Sequence, residues 1–177
     1  AQHVELARTI AQRFNNMHGE VFRVPRATLS KTSAKIMSLN DASKKMSKSE
    51  SADSYIGMEE EPEVIIKKFK RAVTDSDNKV KYGKDKPELS NLLTIYSEFA
   101  GKSVEEIEKE YEGKGYGQFK GDLGEMVSEK LNMLQKTFNG IRSDDTRLNN
   151  IISEGNAKAE TIANEKLSIV KEILGLV

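Results

Sequence analysis

The stretch PELSNLLTIYSEFAGKSVEE, residues 87–106, carries the signals that start one helix, end it and start the next. Pro87 suits the first turn of a helix, where no backbone N–H donor is needed. Apolar side chains follow at helical spacing, and Gly101 is the residue type that most often ends a helix in the left-handed conformation. Ser103 and Glu106 have the spacing of a capping box. The stretch therefore predicts two helices joined by a short turn.

Helical signals continue on both sides of this stretch. An acidic run before Pro62 suits the positive end of a helix dipole. The buried face predicted for that helix consists of Ile65, Phe69, Ala72 and Val73. Glycines between Gly113 and Gly124 predict a loop and a weakly ordered helix start, so the next helix is predicted over residues 123–138. The last helix, over residues 143–174, has one apolar stripe: Ala163, Leu167, Val170 and Leu174.

The N-terminal part has a different pattern. Residues 2–15 predict an amphipathic helix, and the run Val21–Val24 before Pro25 predicts a short strand. Because four residues cannot form a sheet alone, helix and strand together indicate a fragment of an α/β layer. The predicted fold is mainly α: a remnant of an α/β domain, a charged serine-rich loop and a helical bundle, with a boundary between residues 51 and 62.

Composition excludes several classes of protein. The 177 residues contain no cysteine, which excludes disulfides and cysteine-based zinc sites, and His3 and His18 lack metal-ligand spacing. The 28 basic and 28 acidic side chains cancel, so nucleic-acid binding would rest on local patches. No membrane-length apolar stretch or signal-peptide pattern is visible, which favours a cytoplasmic protein. The chain starts without Met and in a helix-like pattern, so we expect a piece of a longer protein.

Three segments are candidates for binding chemistry. Residues 43–53 hold three lysines and four serines, which can bind phosphate, although composition alone favours a solvated loop. The segment Gly113–Gly117 matches no phosphate-loop motif and is interpreted as a turn between helices. Basic residues predict either solvated faces or an RNA surface. They are Lys67, Lys70 and Arg71 on one helix face, and Lys79, Lys81, Lys84 and Lys86 around Tyr82.

A family resemblance adds to this interpretation. Residues Lys45–Ser49 spell K-M-S-K-S, the second signature of class I aminoacyl-tRNA synthetases, and nearly the whole chain resembles bacterial-type tryptophanyl-tRNA synthetases. The segments that carry the resemblance are, in chain order, QHVELARTIAQRFN, AKIMSLNDASKKMSKS, IIKKFKRAVTDSD, LSNLLTIYSEFAGKS and YEGKGYGQFKGDLGEMV. The resemblance implies a remnant of a Rossmann-like catalytic domain with the KMSKS loop over residues 1–55. It also implies a helical tRNA anticodon-binding domain over residues 56–177.

The resemblance further implies an activity. Enzymes of this family are homodimers that use ATP, with magnesium, to convert tryptophan to tryptophanyl-adenylate and then transfer it to tRNA(Trp). Lys45 and Lys48 are implied to stabilise the triphosphate as it splits. ATP contacts are implied for Ile36, Lys45, Met46, Ser47, Lys48 and Ser49. Contacts with the anticodon region of tRNA are implied for Lys67, Lys70 and Arg71.

The sequence also departs from the family pattern. The family's first signature, a His-Ile-Gly-His-like motif, and its Gly-x-Asp-Gln pocket segment do not occur in these 177 residues. Glu50 stands where members often have Asp. We therefore expect the chain alone to be inactive. Three alternatives stay open: a relative of tyrosyl-tRNA synthetase, a non-catalytic helical tRNA-binding module, and a purely structural helical protein.

Overall fold

The computed structural model describes residues 2–28 and 35–176. These residues form six α-helices and one short 3-10 helix, Ala52–Ser54. The α-helices are α1 (Gln2–His18), α2 (Pro62–Arg71), α3 (Pro87–Ala100), α4 (Val104–Glu110), α5 (Tyr116–Arg142) and α6 (Asp145–Ile173). Within the described ranges there is no β-strand, only an isolated antiparallel bridge between Met37 and Lys45. The predicted mainly α class is confirmed.

The described residues group into two compact units. One contains the described parts of Ala1–Leu29 and Gly140–Val177, and the other those of Ser30–Asn139. The first unit therefore includes α1 and α6, whereas the second includes α2, α3, α4 and most of α5. The division into domains 1–55 and 56–177 stays a prediction.

The turn between α3 and α4 forms as its local signals predict. Gly101 has a φ of 67°, and its N–H donates to the Ser97 carbonyl at 2.9 Å. The Glu106 N–H donates to Ser103 Oγ at 3.2 Å, and the Ser103 N–H donates to the Glu106 carboxylate at 2.7 Å. This backbone hydrogen bond from Ser103 is the main reason why the pKa of Glu106 lies below its usual value. The predicted C-cap and capping box are confirmed.

Helix α5 begins at Tyr116, so the predicted helix start at residue 123 is wrong. Among the glycines of this helix, Gly124 packs against a neighbouring helix. A Cβ placed on Gly124 would lie 3.0 Å from Ile66 Cα on α2. Glycine therefore allows the backbones of α2 and α5 to approach closely, at some cost in intrinsic helix propensity.

Helix α2 buries Ile65 and Phe69 as predicted, but Val73 is 45% exposed. The prediction for Val73 is wrong because α2 ends at Arg71, and helical spacing no longer sets the direction of later side chains. The Val73 N–H donates to the Leu39 carbonyl at 2.9 Å, which ties the chain after α2 to the segment before the serine-rich loop.

An aromatic cluster lies at the centre of the second unit. The Tyr111 ring meets those of Phe119 and Tyr96 edge-on, with centroids 5.2 and 5.7 Å apart. Its hydroxyl donates to Asp122 at 2.7 Å and lies 3.1 Å from that of Tyr96. Burial, followed by these hydrogen bonds, raises the pKa of Tyr111 above its usual value. The cluster fixes α3, α4 and α5 against one another.

The first unit does not contain the predicted strand Val21–Val24. The Asn15 side chain accepts hydrogen bonds from the Val21 and Phe22 N–H groups at 3.2 and 2.8 Å, and donates to the Phe22 carbonyl at 2.7 Å. The chain therefore folds back on α1 after Gly19, whose φ is 86°. These backbone groups are used by Asn15 and are not free to pair with a strand.

Helices α1 and α6 are mostly exposed. α1 buries only Ala11, and α6 buries none of its residues, including those of the predicted apolar stripe. The two helices form close to the predicted ranges, but most of their apolar side chains remain partly or fully exposed within the described residues.

Candidate nucleotide site and RNA-facing surface

Backbone hydrogen bonds pair the residues before the KMSKS signature with the first residues of the signature itself. The Met46 N–H donates to the Ile36 carbonyl at 3.0 Å, and the Ser38 N–H donates to the Lys44 carbonyl at 2.9 Å. These bonds produce the bridge between Met37 and Lys45. The sequence-predicted ATP residues Ile36 and Met46 are thereby brought side by side, although they are ten positions apart in the chain.

The base of the loop is fixed to α3 by one buried amide. Asn91, 6% exposed, accepts a hydrogen bond from the Met37 N–H at 2.8 Å and donates to the Met37 carbonyl at 2.9 Å. Nearby, the Leu39 N–H donates to the Ser54 carbonyl at 2.9 Å. Ile36 and Met46 also pack against the hydrophobic core. Sequence reasoning missed Asn91, since nothing local links it to a loop 54 residues away.

The tip of the loop is held by its own short hydrogen bonds. Asp41 accepts from the Ser43 hydroxyl at 2.6 Å and from the Ser43 N–H at 3.0 Å, and these bonds lower the pKa of Asp41. The Ser47 hydroxyl accepts from the Ser49 N–H at 3.2 Å. The serines at the predicted ATP positions therefore shape the loop as well as presenting polar groups.

The three lysines of the loop differ in their surroundings. The Lys44 ammonium lies 3.9 Å from Asp41 Oδ2 and 3.7 Å from Glu50 Oε2. Lys45 and Lys48 are exposed, and their ammonium groups have no partner among the residues that the structure describes. Lys45 and Lys48 are thus the two free cations of the described loop, available to an anionic ligand.

The segment that follows the loop is fixed by a buried ion pair. Lys68, 6% exposed, lies 2.5 Å from Glu60 Oε1 and donates to the Tyr55 carbonyl at 3.0 Å. Gln135 on α5 donates to the Met58 and Glu60 carbonyls at 2.8 and 2.9 Å. Lys68 is therefore a structural residue within the basic run of α2.

The other basic residues of α2 lie on the surface. Lys67, Lys70 and Arg71 are exposed, and no partner for their charged groups is present in the described part of the chain. In the second basic group, Lys86 is engaged: its ammonium lies 2.5 Å from Asp77, which raises the pKa of Lys86. Lys79, Lys81 and Lys84 are exposed.

Membrane spans and clusters of metal ligands are both absent from the described residues. None of the helices has the length and apolar character of a membrane span. No group of three or more acidic, histidine or cysteine side chains comes together there as a metal site.

The sequence matches known proteins over almost its full length. It is 48% identical over 177 residues to a tryptophan–tRNA ligase of Bacillus anthracis and 46% identical over 178 residues to that of Bacillus subtilis strain 168. Each alignment covers 99% of this chain, but 54% and 53% of those proteins. The chain therefore spans about half the length of the curated relatives it matches.

Solved structures give the same result. A tryptophanyl-tRNA synthetase from Mycoplasma pneumoniae has a TM-score of 0.89 at 29% identity and matches 99% of this chain and 54% of its own. One from Campylobacter jejuni, in complex with ADP and tryptophan, has a TM-score of 0.66 at 31% identity, over 98% of this chain and 54% of its own. The family described as tRNA synthetases class I (W and Y) matches residues 1–132. With the KMSKS loop and helices in place, the chain belongs to this family of class I synthetases.

Proposed function

We propose that this chain supplies the KMSKS loop and the tRNA-facing helical part of a tryptophan–tRNA ligase. The overall reaction forms tryptophanyl-adenylate from tryptophan and ATP, and then transfers the tryptophanyl group to tRNA(Trp). Relatives with this activity are 42–48% identical to the chain. Because the chain spans about half of their length, activity, substrates and partners are proposed for the whole enzyme, which we place in the cytoplasm as a homodimer.

The observation that carries the proposal is the pair of free ammonium groups on a loop with a fixed base. The tryptophan carboxylate attacks the α-phosphorus of ATP and pyrophosphate leaves, so negative charge grows on the departing phosphates. Lys45 and Lys48 stabilise that charge without having to leave a partner among the described residues. Ile36 and Met46 contact the nucleotide from the loop base, Ser47 and Ser49 from the tip. Magnesium bound with the nucleotide would neutralise further phosphate charge.

The exposed face of α2 is proposed as a tRNA-binding surface. Lys67, Lys70 and Arg71 can contact backbone phosphates, since their cations have no partner among the described residues. In a full-length enzyme that carries this chain, replacing Lys67 and Lys70 by Glu should weaken tRNA binding and reduce its salt dependence, while pyrophosphate exchange is unchanged. Unchanged tRNA affinity would exclude this face from tRNA binding.

A chimera tests the proposed activity. The matching segment of the B. subtilis ligase is replaced by this chain, which is 46% identical to it. We expect pyrophosphate exchange that depends on tryptophan and ATP, and charging of tRNA(Trp). The proposal is wrong if a folded chimera, verified by circular dichroism, exchanges no pyrophosphate.

The same assay separates the alternatives. A relative of tyrosyl-tRNA synthetase would not restore tryptophan-dependent exchange beside the pocket segment of the B. subtilis ligase, but would restore tyrosine-dependent exchange in a matching chimera with a tyrosyl-tRNA synthetase. A non-catalytic RNA-binding module would bind tRNA in a salt-dependent manner, but would support no exchange in the chimera.

A further inference from the structure

At the base of the KMSKS loop, where residues 36–38 pair with residues 44–46, Met37 lies between Lys45 and the buried amide of Asn91. Two backbone hydrogen bonds flank the pair formed by Met37 and Lys45, one on each side of it. This is the pattern of a non-hydrogen-bonded antiparallel pair, in which the two Cα atoms are about 4.5 Å apart. The N–H and carbonyl of each residue in such a pair point away from its partner, so those of Met37 point away from Lys45.

The Asn91 side chain binds both of these outward backbone groups. It accepts from the Met37 N–H at 2.8 Å and donates to the Met37 carbonyl at 2.9 Å. A neighbouring strand would offer the same two groups one acceptor and one donor, so the amide acts as a strand partner for this single residue. Helix α3 therefore fixes the backbone of Met37, and Met37 in turn fixes the backbone of Lys45.

Asn91 lies in an otherwise apolar, buried part of α3. Its neighbours Leu89, Leu92 and Leu93 are at most 1% exposed, and Asn91 itself is 6% exposed. Burying an amide costs free energy unless its groups are hydrogen-bonded, whereas a leucine would pack here without that cost. The contact with Met37, and not the packing of α3, therefore accounts for an amide at this position.

Ser90, the residue before Asn91, forms a contact of the same kind with a different segment. Ser90 is 8% exposed, its hydroxyl oxygen accepts from the Gly83 N–H at 3.1 Å, and its hydroxyl donates to the Gly83 carbonyl at 2.9 Å. Gly83 belongs to the segment just before α3 and not to the KMSKS loop. Ser90 is therefore a matched control, with similar burial and the same number of backbone contacts on the same helix.

We propose that Asn91 is a positioning residue for adenylate formation, which acts through Met37 to set the place of Lys45 at the triphosphate. A cation stabilises charge on the departing phosphates best when it is in place before the charge develops. Because the lysine side chain is long and flexible, its backbone is the part that the fold can fix. The inference rests on the proposed function, since that function gives Lys45 its role.

Pyrophosphate exchange by the chimera provides the kinetic test. Asn91→Ala should lower kcat by roughly 10- to 100-fold, the loss expected when a reacting group is misplaced by about 1 Å, while the affinity for tryptophan changes little. Ser90→Ala should stay within a few-fold of the unsubstituted chimera. Asn91→Leu, which fills the space that alanine leaves empty, should show the same loss as Asn91→Ala. Equal kcat values for folded Asn91 and Ser90 variants would overturn the proposal.

A double-mutant cycle separates positioning from a general loss of structure. If Asn91 acts through Lys45, the chimera that already carries Lys45→Ala has lost the group that Asn91 positions. Adding Asn91→Ala to Lys45→Ala should then slow exchange by about threefold or less, far below its effect on the chimera that retains Lys45. A loss of the same size in both backgrounds would contradict a role through Lys45.

Backbone hydrogen exchange in the 177-residue chain tests the anchor without catalysis. The N–H groups of Ser38 and Met46 form the two hydrogen bonds of the loop base. Asn91→Ala should speed their exchange roughly tenfold more than Ser90→Ala does, because only the first change releases Met37 from α3. Equal exchange rates in the two variants would show that Asn91 does not hold the loop base.

The chimera also distinguishes failure of this inference from failure of the proposed function. If the unsubstituted chimera exchanges no pyrophosphate, the proposed function is wrong, and the role of Asn91 in adenylate formation is wrong with it. If the chimera exchanges pyrophosphate and the Asn91 and Ser90 variants lose equal activity, the function stands and only the positioning role is wrong.

Discussion

At the scale of single residues, the KMSKS loop separates three neighbouring lysines by their partners. Lys44 lies near two carboxylates, whereas Lys45 and Lys48 face solvent without a described partner. A cation that already has a partner gives little new stabilisation to charge that develops during a reaction, whereas a free and aimed one gives more. The structure therefore provides its own internal control for the role of the loop.

We expect Lys45→Ala and Lys48→Ala in the chimera to slow pyrophosphate exchange by about 10²–10³-fold each, as for other aimed transition-state contacts. Tryptophan affinity should change little, because the charge that they stabilise develops only in the transition state. Lys44→Ala should stay within a few-fold of the unsubstituted chimera. Steady-state kinetics of exchange and equilibrium tryptophan binding provide the comparison. Similar losses for all three lysines would mean that the loop acts through its total positive charge and not through Lys45 and Lys48 in particular.

Asn91 carries the contact between the loop base and α3. Asn91→Ala would leave the Met37 N–H and carbonyl without their buried partner, so we expect a loss of roughly 2 kcal/mol in the free energy of unfolding. Urea unfolding of the 177-residue chain measures this loss, with Gln118→Ala, an exposed change on α5, as a control. A loss no larger than that of the control would show that the amide does not hold the loop.

At the scale of secondary-structure elements, α2 and α5 meet through glycine. The close approach at Gly124 leaves little room for a methyl group, because the two nearest atoms belong to the backbone of α2 and cannot rotate away, so α2 would have to shift by a few tenths of an ångström. A Cβ placed on Gly117, in the first turn of the same helix, would have no such atom within 4 Å. The two glycines lie on one helix but have different surroundings.

We expect Gly124→Ala to lower the free energy of unfolding by about 1–3 kcal/mol through overpacking, despite the higher helix propensity of alanine. Gly117→Ala should be neutral or stabilising by up to about 1 kcal/mol. Thermal and urea unfolding of both variants give the two values. A stabilising Gly124→Ala would mean that α2 moves readily away from α5.

At the scale of the whole molecule, local signals predicted more than distant ones. The capping box at Ser103 and the C-cap at Gly101 were predictable because every atom involved lies within a few residues. The start of α5 was not predictable, because the sequence alone does not distinguish a glycine that packs against a partner helix from a glycine in a loop. The prediction of a strand at Val21–Val24 was wrong because the Asn15 side chain binds the backbone N–H groups of Val21 and Phe22.

In the candidate site, too, contacts between distant parts of the chain could not be predicted from the sequence. Composition left the loop more consistent with a solvated segment, and the family resemblance, not the spacing, pointed to Lys45 and Lys48. The anchoring residues, Asn91 and the Lys68–Glu60 pair, depend on contacts between separate elements and left no local trace in the sequence. The segment Gly113–Gly117 was interpreted from sequence only as a turn, because the cavity that its first residues line is completed by residues 78–81, which are distant in the chain.

The 177-residue chain alone should not exchange pyrophosphate. It has the two lysines of the second signature, but the family's first signature does not occur in its sequence, and it spans about half the length of its relatives. Charge stabilisation from one side, without a complete pocket to orient tryptophan against ATP, gives neither proximity nor alignment of the reacting groups. The measurement is exchange by the isolated chain beside the chimera at equal concentration, with tRNA(Trp) binding as a check that the chain is folded. We expect turnover only from the chimera and salt-dependent binding from both, so clear turnover by the isolated chain would show that its own residues form a complete active site.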